Sequence, residues 1–267
     1  MDRILSLDGT PIAYRRQGEG APVVLVGGAL STAATEGPLA ALLARRFTVV
    51  TYDRRGRGGS GAGPGGPYAV AREIEDLAGV VGVADGPVAV FGMSSGGALA
   101  LEAQAAGVPM EVLAVFEPPY TPGEEGLRYK ARCTAELRGR LASGDRGGAV
   151  ELFLARTGVA PETVARMRRA PLWSGLEELA HTLEYDDTLL GDGAPPLERF
   201  GAVTARTLVV SGGFSAAPVR ETALALAGAV PGARHRTLSG QTRELAPQVL
   251  APVLAAFFAR RGLVPQA

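Results

Sequence analysis

The chain has 267 residues, 46% of them apolar, with 27 Lys and Arg against 27 Asp and Glu, so its formal net charge is zero. Nucleic-acid surfaces show a basic excess, which is absent here, and the length suits one globular domain with room for an inserted subdomain. Its single cysteine, Cys133, excludes an internal disulfide and fits a reducing cytoplasm.

The start, MDRILSLDGT, has no basic segment leading into an apolar stretch, so no signal peptide is expected. No run of about 18 apolar residues suggests a membrane span. RILSLDG and PIAYRRQG flank Asp8-Gly9-Thr10 and read as an antiparallel hairpin. PVVLVGG (22–28) and FTVVTYD (47–53) are continuous apolar runs, the pattern of strands covered on both faces. Between them, Leu39, Leu42 and Leu43 have helical spacing. The glycine-rich 56–66 lacks the lysine of a phosphate-binding loop and reads as a mobile loop. A helix over 70–84 leads to the strand PVAVFGM (87–93), a helix from Ser95, and the strand VLAVFEP (112–118).

From residue 120 to about 200 the pattern is helical throughout, broken by Gly and Pro. Strand then returns at RTLVVSGG (206–213) and ARHRTLSG (233–240), each followed by a helix, the last beginning near Pro247. Alternating strands and helices predict an α/β fold with a mostly parallel, doubly wound sheet. The expected core is 1–119 with 201–267, and 120–200 is a helical cap roofing the carboxyl ends of the strands, where such sheets bind ligands.

Chemistry concentrates at Gly92-Met93-Ser94-Ser95-Gly96-Gly97. A serine in Gly-x-Ser-x-Gly between strand and helix is the context of a nucleophile elbow. The tight turn needs flanking glycines and presents the Ser94 hydroxyl at a helix N-terminus. The Ser95 N–H is then one oxyanion donor, and the Ala29 N–H in Gly27-Gly28-Ala29-Leu30 is the second.

With VVLVGG, TYDRRGRGGS, FGMSSGGALA and the helical 120–200, the chain resembles the α/β-hydrolase superfamily over nearly its whole length. Within it, the chain is similar to small bacterial serine hydrolases, esterases and cofactor-free haloperoxidase-like enzymes. The resemblance implies Ser94 as nucleophile, then an acid in Gly-x-x-Asp after the 206–213 strand, then a histidine in Gly-x-x-His after the last strand. Here those segments read Gly212-Gly213-Phe214-Ser215 and Gly240-Gln241-Thr242-Arg243. Ser215 occupies the acid's place. Arg243 occupies the histidine's, and an arginine keeps its proton and cannot take one from Ser94.

Two histidines exist. His235, inside a strand between two arginines, reads as packed or solvated. His181, in LEELAHTLEYDD, reads as a helix-face residue with a cap contribution to the pocket as its alternative. Glu117 ends the strand after the elbow helix, where some superfamily members place their acid; it could orient a base, pair with Arg243, or cap the chain's exit into the helices. Asp186 and Asp187 could be pocket acids, but read more readily as solvated charges of the cap. Arg54 and Arg55 read as structural, within an Asp-x-x-Gly-x-Gly-x-Ser turn that the resemblance implies anchors the loop near the elbow. Cys133 reads as a packing residue, and the predominance of Arg, with Lys130 the single lysine, reads as codon bias of a high-GC bacterial genome rather than an Arg-reading function. No cluster has metal-ligand spacing, and no nucleotide fingerprint follows the first strand, so neither metal nor cofactor is expected.

Three functions remain open. The first is an enzyme on a small organic molecule working by cyclisation, elimination or isomerisation, as in natural-product tailoring, with Ser94, Arg243 and Glu117 in the site. The second is an esterase, lactonase or thioesterase with Ser94 as nucleophile and a relocated base. The third is a non-catalytic ligand-binding relative. In each case the partner is a small molecule, with no nucleic acid and no membrane, and the expected location is cytoplasmic.

Overall fold

The computed structural model describes residues 1–84, 86–242 and 245–259. Its strands are β1 (Asp2–Leu5), β2 (Pro11–Gln17), β3 (Ala21–Val26), β4 (Phe47–Tyr52), β5 (Ala89–Met93), β6 (Val112–Phe116), β7 (Arg206–Gly212) and β8 (Arg234–Leu238). They form one sheet in the order β1-β2-β4-β3-β5-β6-β7-β8. The expected hairpin is β1 on β2, with Leu5 opposite Pro11, and β2 runs antiparallel to β4. Every pairing from β4 across to β8 is parallel. This is the α/β-hydrolase architecture, and the doubly wound sheet expected from the sequence is present.

The helices are α1 (Gly37–Leu43), α2 (Val70–Gly82), α3 (Ser95–Ala105), α4 (Gly123–Ala142), α5 (Arg146–Arg156), α6 (Pro161–Arg168), α7 (Leu172–Leu179), α8 (Leu183–Leu189), α9 (Leu197–Phe200), α10 (Ala217–Ala229) and α11 (Pro247–Phe258). Leu39, Leu43, Leu250, Leu254 and Phe258 of α1 and α11 pack with Val23, Leu25 and Phe91 on one face of the sheet. On the other, Leu77, Val80, Leu99, Phe200 and Leu226 from α2, α3, α9 and α10 pack with Val24, Val90 and Val115. Successive strand residues point to opposite faces, so β3 needs apolar side chains throughout; Val23 to Val26 are at most 1% exposed. Nearly every residue of α3 is buried, as befits a helix apolar on all sides.

Helices α4 to α9 separate β6 from β7. They carry a third core of Leu137, Val150, Leu154, Trp173 and Leu183, and Leu30 from the loop after β3 packs into it. That contact joins the intervening helices to the edge where β3, β5 and β6 end.

The 56–66 loop departs from the mobile reading in its first half. Gly59 N and Ala33 N donate to the Asp53 carboxylate, the Ser60 hydroxyl bridges Asp53 O and Ala13 N, and Gly61 N donates to Pro11 O. A buried aspartate with fixed backbone donors ties this segment to the sheet.

Candidate active site

Three non-glycine residues among those described have positive φ: Leu30 (55°), Ser94 (53°) and Glu117 (45°). They follow β3, β5 and β6, which are adjacent in the sheet. Such backbone costs on the order of 1–3 kcal/mol per residue and persists where the surroundings over-determine it. At Ser94 the restraints are visible. Its N–H donates to Phe116 O at 2.8 Å, and its carbonyl accepts from Gly97 N at 2.9 Å. A Cβ at Gly92 would lie 2.5 Å from Gly96 O, and one at Gly96 would lie 2.3 Å from Val26 O. Only glycine fits on either side of this serine.

Ser94, Ser95 and Ala29 open together into a cavity of about 170 Å³. As the first residue of α3, Ser95 has an N–H with no acceptor within the helix. The far wall comes from the intervening helices, including Tyr129, Cys133, Leu137, Phe153, Arg156 and Leu183. Cys133, read as a packing residue, is buried on α4 and also lines this wall.

Glu117 is 2% exposed. Its Oε1 accepts from Gly212 N at 2.8 Å and from Ser215 Oγ at 2.5 Å. The structure therefore brings Glu117 and Ser215 together at the ends of β6 and β7. Its Oε2 is buried with no hydrogen-bond partner among the described residues. Gln241 O accepts from Phe214 N at 2.9 Å, so the segment after β8 begins beside the same corner. Arg243 itself lies outside the described residues.

Neither histidine joins Ser94. His181 has Nδ1 3.0 Å from Glu178 O and its ring edge-on to Tyr185, against Gly56. His235 has Nε2 3.0 Å from Ser211 Oγ, and partial burial holds its pKa below the usual imidazole value. Among the described side chains, none accepts a hydrogen bond from Ser94 Oγ.

Asp186 and Asp187 are not the solvated charges that the sequence favoured; they take the alternative position, in the pocket. Both line the cavity and both are 5% exposed, because each meets a buried cation. Asp186 pairs with Arg54 Nη1 and Arg57 Nη2, each at 2.8 Å. Burial alone pushes the Asp186 carboxyl up, but Arg57, Arg54 and the Ser95 hydroxyl outweigh it and hold it below the usual carboxylate range. Asp187 meets Lys130 Nζ at 2.8 Å, and that ammonium also donates to Thr134 Oγ1 and to Gly191 O. Arg54 is held on its other side by Glu73, with Nε to Oε1 at 2.6 Å. Its Nη1 also reaches Gly27 O and Ser95 Oγ at 3.3 Å. Arg55 pairs with Asp76 and Asp8. Both adjacent arginines are buried in ion pairs, and Arg54 reaches the elbow itself.

A profile of the alpha/beta hydrolase family matches residues 23–252. The chain belongs to the alpha/beta hydrolase family. Its structure is similar to that of an alpha/beta hydrolase from Sphaerobacter thermophilus DSM 20745, with 49% identity, 97% of this chain and 100% of that chain covered, and a TM-score of 0.87. The fold is shared with the enol-lactonase from Burkholderia xenovorans LB400, at 22% identity, 97% and 100% coverage and a TM-score of 0.71. It is shared too with an esterase from Exiguobacterium antarcticum, at 18% identity, 96% and 98% coverage and a TM-score of 0.76. No helix among the described residues is long and apolar enough to cross a membrane, and no group of three or more His, Cys, Asp or Glu among them could hold a metal ion.

The sequence missed Arg57, Arg156 and the buried state of Lys130, Asp186 and Asp187. One signal was present. A lone lysine in a chain otherwise using arginine marks a place for a compact ammonium with three donors rather than a planar fork.

Proposed function

We propose that this chain is an alpha/beta-hydrolase-fold enzyme acting on a small organic molecule by non-hydrolytic chemistry: cyclisation, elimination or isomerisation, as in the tailoring of a natural product. One observation carries this reading: neither of the chain's two imidazoles lines the cavity into which Ser94 opens. The carboxylates lining it, Asp186 and Asp187, are both engaged by buried cations, and Arg57 and Arg54 hold the Asp186 carboxyl below its usual range, which makes it a poor proton acceptor.

In this reading Ser94 is a positioned hydroxyl. The N–H groups of Ala29 and Ser95 receive negative charge developing on a substrate oxygen, and Arg243 contributes fixed positive charge. Glu117, held by Gly212 and Ser215, balances that charge. The helices between β6 and β7 act as a cap that orients the substrate and excludes water, so the rate comes from positioning and electrostatics.

The test is turnover in ¹⁸O-water of ligands that co-purify with the protein. The proposal expects a product isomeric with its precursor, or an elimination pair, carrying no ¹⁸O from solvent. Ser94-dependent incorporation of ¹⁸O overturns it in favour of hydrolysis, and a ligand returned unchanged overturns it in favour of simple binding.

A further inference from the structure

We infer that the cavity takes a substrate bearing a carboxylate, and that Arg156 is the residue that binds it. This rests on reading the Ser94 cavity as a small-molecule site and adds the substrate's charge class. Arg156, the last residue of α5, is the one cation among the described residues lining the cavity, and its side chain is 20% exposed.

Every other charge on that wall is matched. Asp186 lies between Arg54 and Arg57, and Arg54 is shared with Glu73. Asp187 Oδ1 faces Lys130 Nζ at 2.8 Å and accepts from Thr134 Oγ1 at 3.1 Å. Arg156 Nη1 stands 3.6 Å from that same oxygen, too far for a hydrogen bond. Among these residues four cations (Arg54, Arg57, Lys130, Arg156) face three carboxylates (Glu73, Asp186, Asp187). One positive charge is left over, and it is the one whose guanidinium makes no hydrogen bond to another described residue.

A guanidinium on a largely apolar wall binds a planar carboxylate through paired N–H donors. A single excess charge matches a monoanion. The cavity lining thus holds the reacting groups Ser94, Ser95 and Ala29 and the anchoring Arg156, together with apolar side chains such as Leu137, Phe153 and Leu183.

The experiment is calorimetric binding of octanoate and octanamide to the wild-type chain, Arg156→Met and Arg156→Lys, with folding of each variant checked by circular dichroism. The wild type is expected to bind octanoate about tenfold or more tightly than octanamide. Arg156→Met should abolish that preference, and Arg156→Lys should keep part of it. Equal binding of acid and amide, no measurable binding of either at millimolar concentration, or an acid preference that survives Arg156→Met would each overturn the inference. No turnover enters this measurement, so its failure leaves the chemistry at Ser94 standing, and hydrolytic turnover would leave Arg156 as the anion site.

Discussion

Ser215 Oγ donates to Glu117 Oε1 at 2.5 Å, across the ends of β7 and β6. In the proposed reading Ser215 stands at the position of the acid, and it donates to a carboxylate supplied by the neighbouring strand. An acidic group is therefore present at this corner, and in our account the missing element is the base.

Arg243→His should accordingly create activity by itself. Hydrolysis of p-nitrophenyl acetate is expected to rise at least about a hundredfold over wild type, since positioned general-base catalysis contributes roughly 10²–10⁴. Adding Glu117→Gln should remove most of that gain, while adding Ser215→Ala should change it only a few-fold. A gain that depends on Ser215 and not on Glu117 would show the acid misassigned.

Asp186 ties α8 to the elbow through Arg54 and Arg57. Asp186→Ala leaves two buried guanidinium groups without their shared partner, and breaking such a pair costs about 3–5 kcal/mol. Urea denaturation should show a loss in that range. A loss below about 1 kcal/mol would mean that water replaces the carboxylate and that the network does not hold the helices down.

Ser94 adopts φ 53° and ψ −123°, a conformation that glycine reaches without the steric cost of a Cβ. Ser94→Gly should be more stable than Ser94→Ala by roughly 1 kcal/mol, the alanine retaining the strain. Thermal denaturation of the two variants checks this, and equal stability would place the strain elsewhere.

Glu36, just ahead of α1, is 6% exposed, and burial pushes its carboxyl from 4.5 up to about 7. Between those values the folded chain keeps a proton that the unfolded chain has released, so stability falls as pH rises. The loss is complete above pH 7 and amounts to at most about 3 kcal/mol. Glu36→Gln should match the wild type near pH 4, exceed it at pH 8 and flatten the profile. Parallel pH profiles for the two proteins would contradict this origin.

The strands and the elbow were legible because their signals are local. Continuous apolar runs such as 22–26 demand burial on both faces, and Gly92 answers to Gly96 and Gly97 within its own turn, although Gly96 is also required by Val26 on the neighbouring strand. Asp186, Asp187 and Lys130 were not legible. Their burial depends on pairings separated by 132 positions for Arg54 with Asp186 and 57 for Lys130 with Asp187, which no periodicity encodes. Glu117 falls between these cases. Its position at a strand end was readable, but its bond to Ser215 needed the fold to bring β6 beside β7.

Labelling of the wild-type chain with a fluorophosphonate at pH 7, followed by intact-protein mass spectrometry beside Arg243→His, tests the central claim most directly. The account expects the wild type to remain unlabelled over hours and the variant to gain one adduct, on Ser94, within minutes. Rapid stoichiometric labelling of Ser94 in the wild type would mean that a base acts on this serine, and it would contradict the account.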